Sequence, residues 1–382
     1  MSDTVIYLDN NATTAVAPEC IEAMTRCLRD HYGNPSSKHA AGEAAKAQTL
    51  AARAKVASLL GASPAEIVFT SGGTEAIHQA ILGGLALASG KWRIVTSEVE
   101  HPATLMLLKH LETLGVEVVY LPVDGLGQLD LGELDQAITE DTALVTLMWA
   151  NNETGVLFPI EEAAALAAAK GVLIHSDAVQ AAGKLPIDLN KVPLDFLSLS
   201  GHKLHAPKGV GALFVRKGRK IPPLLFGHQE RGRRGSTENV PAIAALGIAA
   251  DLAAAGLDTH VTHVAGLRDR LESGLLAQLP QASITGSAAR RLAGTSSLNL
   301  GSIEAEIVLN ELDRAGICAS AGAACSATGT EPSHVLCAMG LTPQAALSTI
   351  RFSLSRYSTA SEVDQVIQLL PNIVRNALAE AA

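Results

Sequence analysis

The sequence predicts an α/β protein with a large, mostly parallel seven-stranded sheet covered by helices and a smaller α+β domain. Three observations carry that expectation. Apolar runs of strand length alternate with longer helix-compatible stretches through the first two thirds of the chain, the pattern of a parallel sheet. The texture changes after about residue 257, where polar helical sequence and short strands take over. Polar, glycine-containing clusters directly follow several of the apolar runs, where open α/β sheets bind ligands.

The strand-length runs are Ile67–Phe69, Ile94–Thr96, Val116–Leu121, Ala143–Met148, Val172–Ile174, Phe196–Leu199 and Gly211–Val215. Between several of them lie the helical stretches Glu43–Leu60, Glu75–Ala88, Thr104–Leu114 and Glu161–Lys170. Alanine-rich segments around Ala163–Ala169 and Ala242–Ala255 read as closely packed helices, because alanine has the best helix propensity. Beyond residue 257, His260, His263 and Arg268 to Arg270 open a polar helix. Short strands at Ala282–Thr285 and Ser296–Leu300 follow, then a helix at Glu304–Ala315, a small-residue loop at Ala319–Thr330 and a short helix at Asp364–Leu378. The expected division is a large domain at 15–256, with 1–14 and 257–382 forming the small one.

At 382 residues the chain is long enough for two or three domains. Its 38 acidic and 29 basic residues leave a net charge of −9, and only 3% of residues are aromatic. Nucleic-acid tracking needs a basic footprint and stacking platforms, so that class is disfavoured. An anionic membrane surface would repel the chain. With 48% hydrophobic and 18% charged residues it is not a disordered chain. No signal peptide is readable at the N-terminus, and Pro332–Ile350, free of Asp, Glu, Lys and Arg, is too interrupted by Gly340 and Pro343 to span a membrane. Five cysteines, Cys20, Cys27, Cys318, Cys325 and Cys337, do not make a disulfide framework in so long a chain, so a reducing cytoplasm is expected.

Five polar clusters carry the chemistry. In Thr70-Ser71-Gly72-Gly73-Thr74-Glu75 a strand turns through glycines into a helix, whose N-terminus attracts an anion. Taken alone, the segment reads equally well as a helix capped by Thr74. His175-Ser176-Asp177-Ala178-Val179-Gln180 supplies a carboxylate for a cationic ring nitrogen and an amide for a ring oxygen, though Asp177 also reads as an N-cap. Ser200-Gly201-His202-Lys203 places a lysine at a buried strand end, which is costly unless the amine is neutral or bonded to a carbonyl compound, although taken alone the segment reads better as a surface lysine. Asn151-Asn152-Glu153-Thr154-Gly155 and Glu100-His101-Pro102-Ala103 complete the set, with His101 placed to stack on a flat cofactor or to move a proton. A phosphate cradle, a carboxylate, a lysine and a stacking imidazole together form the kit for pyridoxal phosphate.

These residues resemble the cysteine desulfurases of the NifS/IscS family, class V enzymes of pyridoxal-phosphate fold-type I. The resemblance also covers Tyr7-Leu8-Asp9-Asn10-Asn11-Ala12-Thr13-Thr14, Gly33-Asn34-Pro35-Ser36-Ser37 with His39, and Gln229-Glu230-Arg231-Gly232-Arg233-Arg234 before Thr237-Glu238-Asn239. It implies that Lys203 holds the cofactor covalently and shuttles the Cα proton, Asp177 pairs with the ring nitrogen, His101 stacks on the ring and Gln180 contacts its hydroxyl. It further implies that Gly73, Thr74, Ser200 and His202 bind the phosphate with Thr237 from a second subunit, and that Asn152 lies beside the cofactor. Asn34 and Arg351 would hold the substrate carboxylate, and Cys325 would be the thiol that takes sulfur from L-cysteine. The implied product is L-alanine, and the persulfide sulfur passes to an acceptor or scaffold of iron–sulfur cluster assembly, nitrogenase maturation included. A homodimer is implied as well.

The residues themselves favour Cys325 among the thiols, since a small-residue loop lets a thiol travel. Cys318 ends an apolar run and is expected to be buried, and Cys20, Cys27 and Cys337 sit among apolar neighbours as core residues. A zinc site from Cys318, Cys325, His334 and Cys337 matches no usual ligand spacing. The chain departs from the family at Ser326-Ala327-Thr328-Gly329, Gly235-Ser236 and Ile77-His78, and no departure removes a reacting group. A selenocysteine lyase or another class V lyase or transaminase would share the cofactor site, and a non-catalytic sulfur carrier would share the fold.

Overall fold

The computed structural model describes residues 5–88, 90–322 and 331–381. The seven expected strands form one sheet in the order Ile67–Thr70, Gly211–Val215, Phe196–Ser200, Leu173–Asp177, Thr142–Met148, Arg93–Ser97, Glu117–Leu121. Neighbours are parallel except at Gly211–Val215, which runs antiparallel to both of its partners. Ile67–Thr70 therefore points the same way as the parallel strands.

Side chains alternate between two apolar layers because strand residues point to opposite faces. Val68, Ile94, Leu144 and Phe196 pack on one face with the helices Gly73–Leu87 and Pro102–Thr113. Phe69, Val95, Val145 and Leu197 pack on the other, with Ala40–Leu59, Ile160–Ala169 and Val240–Ala255. Burial on both faces is why the strands read as continuous apolar runs. The first helix lies close to the sheet because Gly84 is small: a Cβ there would sit 3.0 Å from a Leu144 methyl. A helix at Pro18–Asp30, not anticipated as a unit, buries Cys20 and Cys27 as expected of core thiols.

A second apolar cluster, with Ile6, Leu8, Leu271, Leu298, Val308 and Phe352 among its members, lies under a four-stranded sheet. There Thr295–Asn299 pairs antiparallel with Ser283–Ile284 and Thr349–Ser353, and Ser320–Ala321 joins the far edge. Ile6–Tyr7 pairs parallel with Ile317–Cys318. Two expectations change here. The last helix is not short: it runs Ala360–Ala381, started by Thr359 and Glu362, each side chain accepting from the other's backbone N–H. Cys318 is half-buried rather than buried, because its two-residue strand lies at a sheet margin.

One ion pair holds the free edge of the central sheet. Arg53 and Glu230 meet through 2.6 and 2.7 Å contacts with side chains 9% and 2% exposed. Arg53 also donates to the Ile67 carbonyl, and Glu230 accepts from the Phe69 N–H, so the pair satisfies backbone groups of the edge strand. Glu230 and Arg231 adopt φ of 48° and 59°, a left-handed turn held by these contacts. Glu230→Ala strands a buried guanidinium and should lower the unfolding free energy by about 3–5 kcal/mol. Urea denaturation measures this, and an unchanged midpoint would show that the pair is not what holds the edge.

Candidate active site

The strands Ile67–Thr70, Arg93–Ser97, Thr142–Met148, Leu173–Asp177 and Phe196–Ser200 end at one edge of the sheet, so their polar clusters converge. They meet around a cavity of about 330 Å³. Gly73, Thr74, Ser200 and His202 line one end; His101, Asp177, Gln180 and Asn152 line the middle, with Lys203 and Arg351.

At the first end the helix Gly73–Leu87 presents its N-terminus. Its cap is Gly72 and not Thr74, so the Thr74 hydroxyl is not spent on capping. A Cβ on Gly73 would lie 2.8 Å from a Val179 methyl and 3.4 Å from Ser200 Cβ, so only glycine lets the backbone wedge in there. His202 Nδ1 lies 3.1 Å from Thr13 Oγ1, and burial together with Lys203 pushes its pKa down to about 4. Uncapped helical N–H groups and hydroxyls suit an anion.

In the middle, no helix follows Asp177, so the capping alternative does not hold; its Oδ1 accepts instead from Val179 N–H at 2.9 Å in a tight turn. Burial raises the Asp177 carboxyl to about 6, offset by that hydrogen bond and by Lys203. Among the described residues it has no lysine or arginine ion-pair partner within 4 Å, so a cationic ring N–H would complete it. His101 is the N-cap of Pro102–Thr113, accepting at Nδ1 from Ala103 N–H at 3.0 Å, which leaves the proton on Nε2. Burial, then Lys203, holds His101 down to about 4, so it is a neutral imidazole at pH 7. Beneath, the buried His175 bridges Thr146 Oγ1 and Ser198 Oγ.

Lys203 Nζ donates to the backbone carbonyls of Asn11 and, at 2.7 Å, Ala12. The same Asn11 carbonyl accepts from Gln180 Nε2 at 2.9 Å, and Asn11 Nδ2 donates to Thr295 Oγ1 and to the Asn152 carbonyl. Arg351 is 1% exposed; it donates to Asp9 Oδ1 at 2.7 Å and to the Asn152 carbonyl at 3.1 Å, while its Nε has no partner among the described residues. A buried guanidinium lining a cavity suits a carboxylate.

Two expected residues lie elsewhere in the single chain. Asn34 is exposed and its Oδ1 accepts from Ser36 N–H, so its side chain is used in a local turn outside the cavity. Thr237 is also exposed, beyond the cavity lining. Cys325 lies outside the described residues, but its flanks are anchored beside the site. Ser320 pairs with Arg351 in the sheet, Ser333 Oγ donates to Glu153, and His334 Nε2 donates to the Glu100 carbonyl.

Comparison with known proteins agrees with this geometry. The family model described as aminotransferase class-V matches residues 6–366. A cysteine desulfurase from Trichormus azollae is 51% identical over 372 residues, covering 97% of this chain and 93% of that protein. The desulfurase NifS of Azotobacter vinelandii is 49% identical over 371 residues, covering 97% and 92%. The chain belongs to the cysteine desulfurases of the NifS/IscS family, within the class-V aminotransferases. The solved structure of a NifS-like protein superposes with a TM-score of 0.91 at 39% identity, covering 98% of this chain and all of that one. A NifS-like protein from Rickettsia africae gives 0.88 at 31%, covering 97% and 100%. Fold-type I and dependence on pyridoxal phosphate go with this desulfurase family.

Several residues around this cavity were not anticipated. Asn11 acts largely through its backbone carbonyl, and Asp9 pairs with an arginine 342 positions away, so neither gives a local signal. Glu100 is fully buried: Oε1 accepts from Ser97 Oγ and Met148 N–H, Oε2 has no partner, and burial drives its carboxyl up to about 8. A raised carboxyl contributes stability that is full below the unfolded value near 4.3 and is lost as pH rises towards 8. Glu100→Gln keeps the acceptor oxygen and should raise Tm more at pH 8 than at pH 5. An equal change at both pH values would show that Glu100 does not titrate in this way.

Proposed function

We propose that the protein converts L-cysteine to L-alanine, holding the abstracted sulfur as a persulfide on Cys325 for iron–sulfur cluster assembly. The observation that carries this reading is the convergence of Lys203, Asp177, His101 and Arg351 on one cavity, beside the anchored flanks of the segment that contains Cys325. Pyridoxal phosphate fits what is there: an anion cradle at Gly73, a buried carboxyl lacking a cation, and a lysine between them. Gly73, Thr74, Ser200 and His202 would hold its phosphate, Asp177 its ring nitrogen, Gln180 its ring oxygen, and His101 its face, with Asn152 alongside. Bound there, it supplies an electron-withdrawing ring that stabilises negative charge at the substrate Cα.

Arg351 would bind the cysteine carboxylate, with Asp9 and the Asn152 carbonyl fixing the guanidinium plane. Nζ of Lys203 would take the Cα proton, and neutral His101 would carry a proton at Nε2. The Cys325 thiolate would then bond to the substrate sulfur as the C–S bond breaks, and the carbon is protonated to alanine. Atoms balance as two thiols giving alanine and one persulfide.

The family likeness supports a homodimer in which Thr237 of the partner subunit completes the phosphate site. Exposure of Leu225 and Phe226, at 45% and 87%, near that loop suits a covered surface. Asn34 would reach the substrate only if its turn rearranges. The two apolar clusters support a large domain at 15–256 and a small one from 1–14 and 257–382, although Leu292, Val335 and Met339 of the latter pack into the former's core. A cytoplasmic location suits the four described cysteines, all unpaired. No single described helix is long and apolar enough to cross a membrane. A role in nitrogenase maturation is the narrower form of this proposal, supported by the identity to NifS.

Cys325→Ser should lower alanine and sulfide formation roughly a thousandfold or more, while the visible band of the lysine-bound cofactor survives. Lys203→Ala should abolish that band. Desulfuration at the parent rate by Cys325→Ser would overturn the assignment.

A further inference from the structure

Behind the cofactor cavity lies a second lysine that the reaction above does not use. Lys184 Nζ donates to Gln180 Oε1 at 2.9 Å and lies 3.4 Å from Asn11 Oδ1. It arrives there through the turn Ala178–Lys184, where Gly183 has φ 71° and passes so close to Leu204 that a Cβ would sit 2.3 Å from its methyl. An ammonium donates but cannot accept. The carbonyl end of the Gln180 amide must therefore face Lys184, and the NH2 end must face Asn11 and the cavity. One amide hydrogen goes to the Asn11 carbonyl, and the second is left for a ligand's oxygen.

We propose that Lys184 is a positioning residue for the cofactor: it fixes the Gln180 amide with its donor towards the ring oxygen, and it places positive charge beside Lys203. This inference rests on the cofactor reading above. Asp177 is the one carboxylate among the described residues that line this cavity. A smaller space of about 70 Å³ behind it is lined by Lys184, Lys203, His205, His260 and Arg356, with no carboxylate. Burial, then Lys203 and Arg351, lowers the Lys184 amine to about 7, and Lys184 in turn disfavours charge on His202 and His205. While protonated, Lys184 disfavours a second positive charge at the lysine–cofactor linkage. A donor on the ring oxygen makes that oxygen less basic. Both effects lower the pH at which the linkage loses its proton.

The test is a spectral pH titration of the visible band in purified holoenzyme, free of substrate. Lys184→Met should raise the titration midpoint by about one pH unit, and Lys184→Arg, again a donor-only cation, should return it towards the parent value. A loaded Lys184→Met protein that titrates like the parent would overturn the proposal. If that variant does not take up cofactor, Lys184→Gln decides: its midpoint must still rise because the charge is gone, and a parent-like midpoint overturns the proposal. A parent protein that shows no visible band even with added pyridoxal phosphate overturns the cofactor reading and this inference together, whereas a titrating parent with an unmoved variant overturns this inference alone.

Discussion

The site depends on one short strap of chain. Residues 6–14 begin in the strand Ile6–Tyr7 beside Ile317–Cys318, line the cavity at Asn11 and Ala12 and end at Thr14 beside His202 and His205, and several of the functional groups are fastened to them. Asp9 holds Arg351, Asn10 donates to the Ser353 carbonyl, Asn11 gathers Lys203, Gln180 and Lys184, and Thr14 exchanges hydrogen bonds with the His202 carbonyl and the His205 N–H. The strap joins the two apolar clusters, since Ile6 and Leu8 belong to one, as do the neighbours of Arg351, whereas Gln180 and Lys203 stand beside Ala181 and Leu204 of the other. Movement of either cluster would be felt at Lys203 and Arg351 through a single backbone segment.

Buried charge around the cavity is the second feature. Lys203 and Arg351 line the cavity with Asp177, Arg351 paired with Asp9, and Lys184 stands behind Gln180, while Glu100 and Glu153 are driven up to about 8 and 7 by burial. Such an arrangement favours anionic ligands at both ends of the cavity, a phosphate at the helix terminus and a carboxylate at Arg351. Buried histidines stay neutral for the same desolvation reason, so His101 carries a single, defined proton at Nε2.

Much of this was legible in the sequence. All seven central strands show as apolar runs, six of them because both faces are buried and Glu117–Leu121 as a half-exposed edge, and the polar clusters mark the carboxyl ends of five. Ten of the expected site residues line one cavity, from Gly73 to Arg351. What stayed hidden has physical causes. Asn11 works through a carbonyl that every residue possesses, and the Asp9–Arg351 pair depends on the strand Thr349–Ser353 lying beside the strap. Asp177 begins a turn where its sequence equally suited a helix cap. Cys318 lies in a strand too short to be enclosed. The long final helix begins at the pair Thr359 and Glu362, a capping signal outside its apolar run.

The central claim is that this cavity binds pyridoxal phosphate and uses it to remove sulfur from cysteine. The most direct measurement incubates the purified, cofactor-loaded protein with L-cysteine and a thiol reductant, and quantifies alanine and sulfide together. The account predicts a visible chromophore bound to the chain and alanine equal to the sum of released sulfide and enzyme-bound persulfide at every time point. Alanine without sulfide or persulfide, sulfide without alanine, or neither product from a protein carrying the chromophore would contradict it.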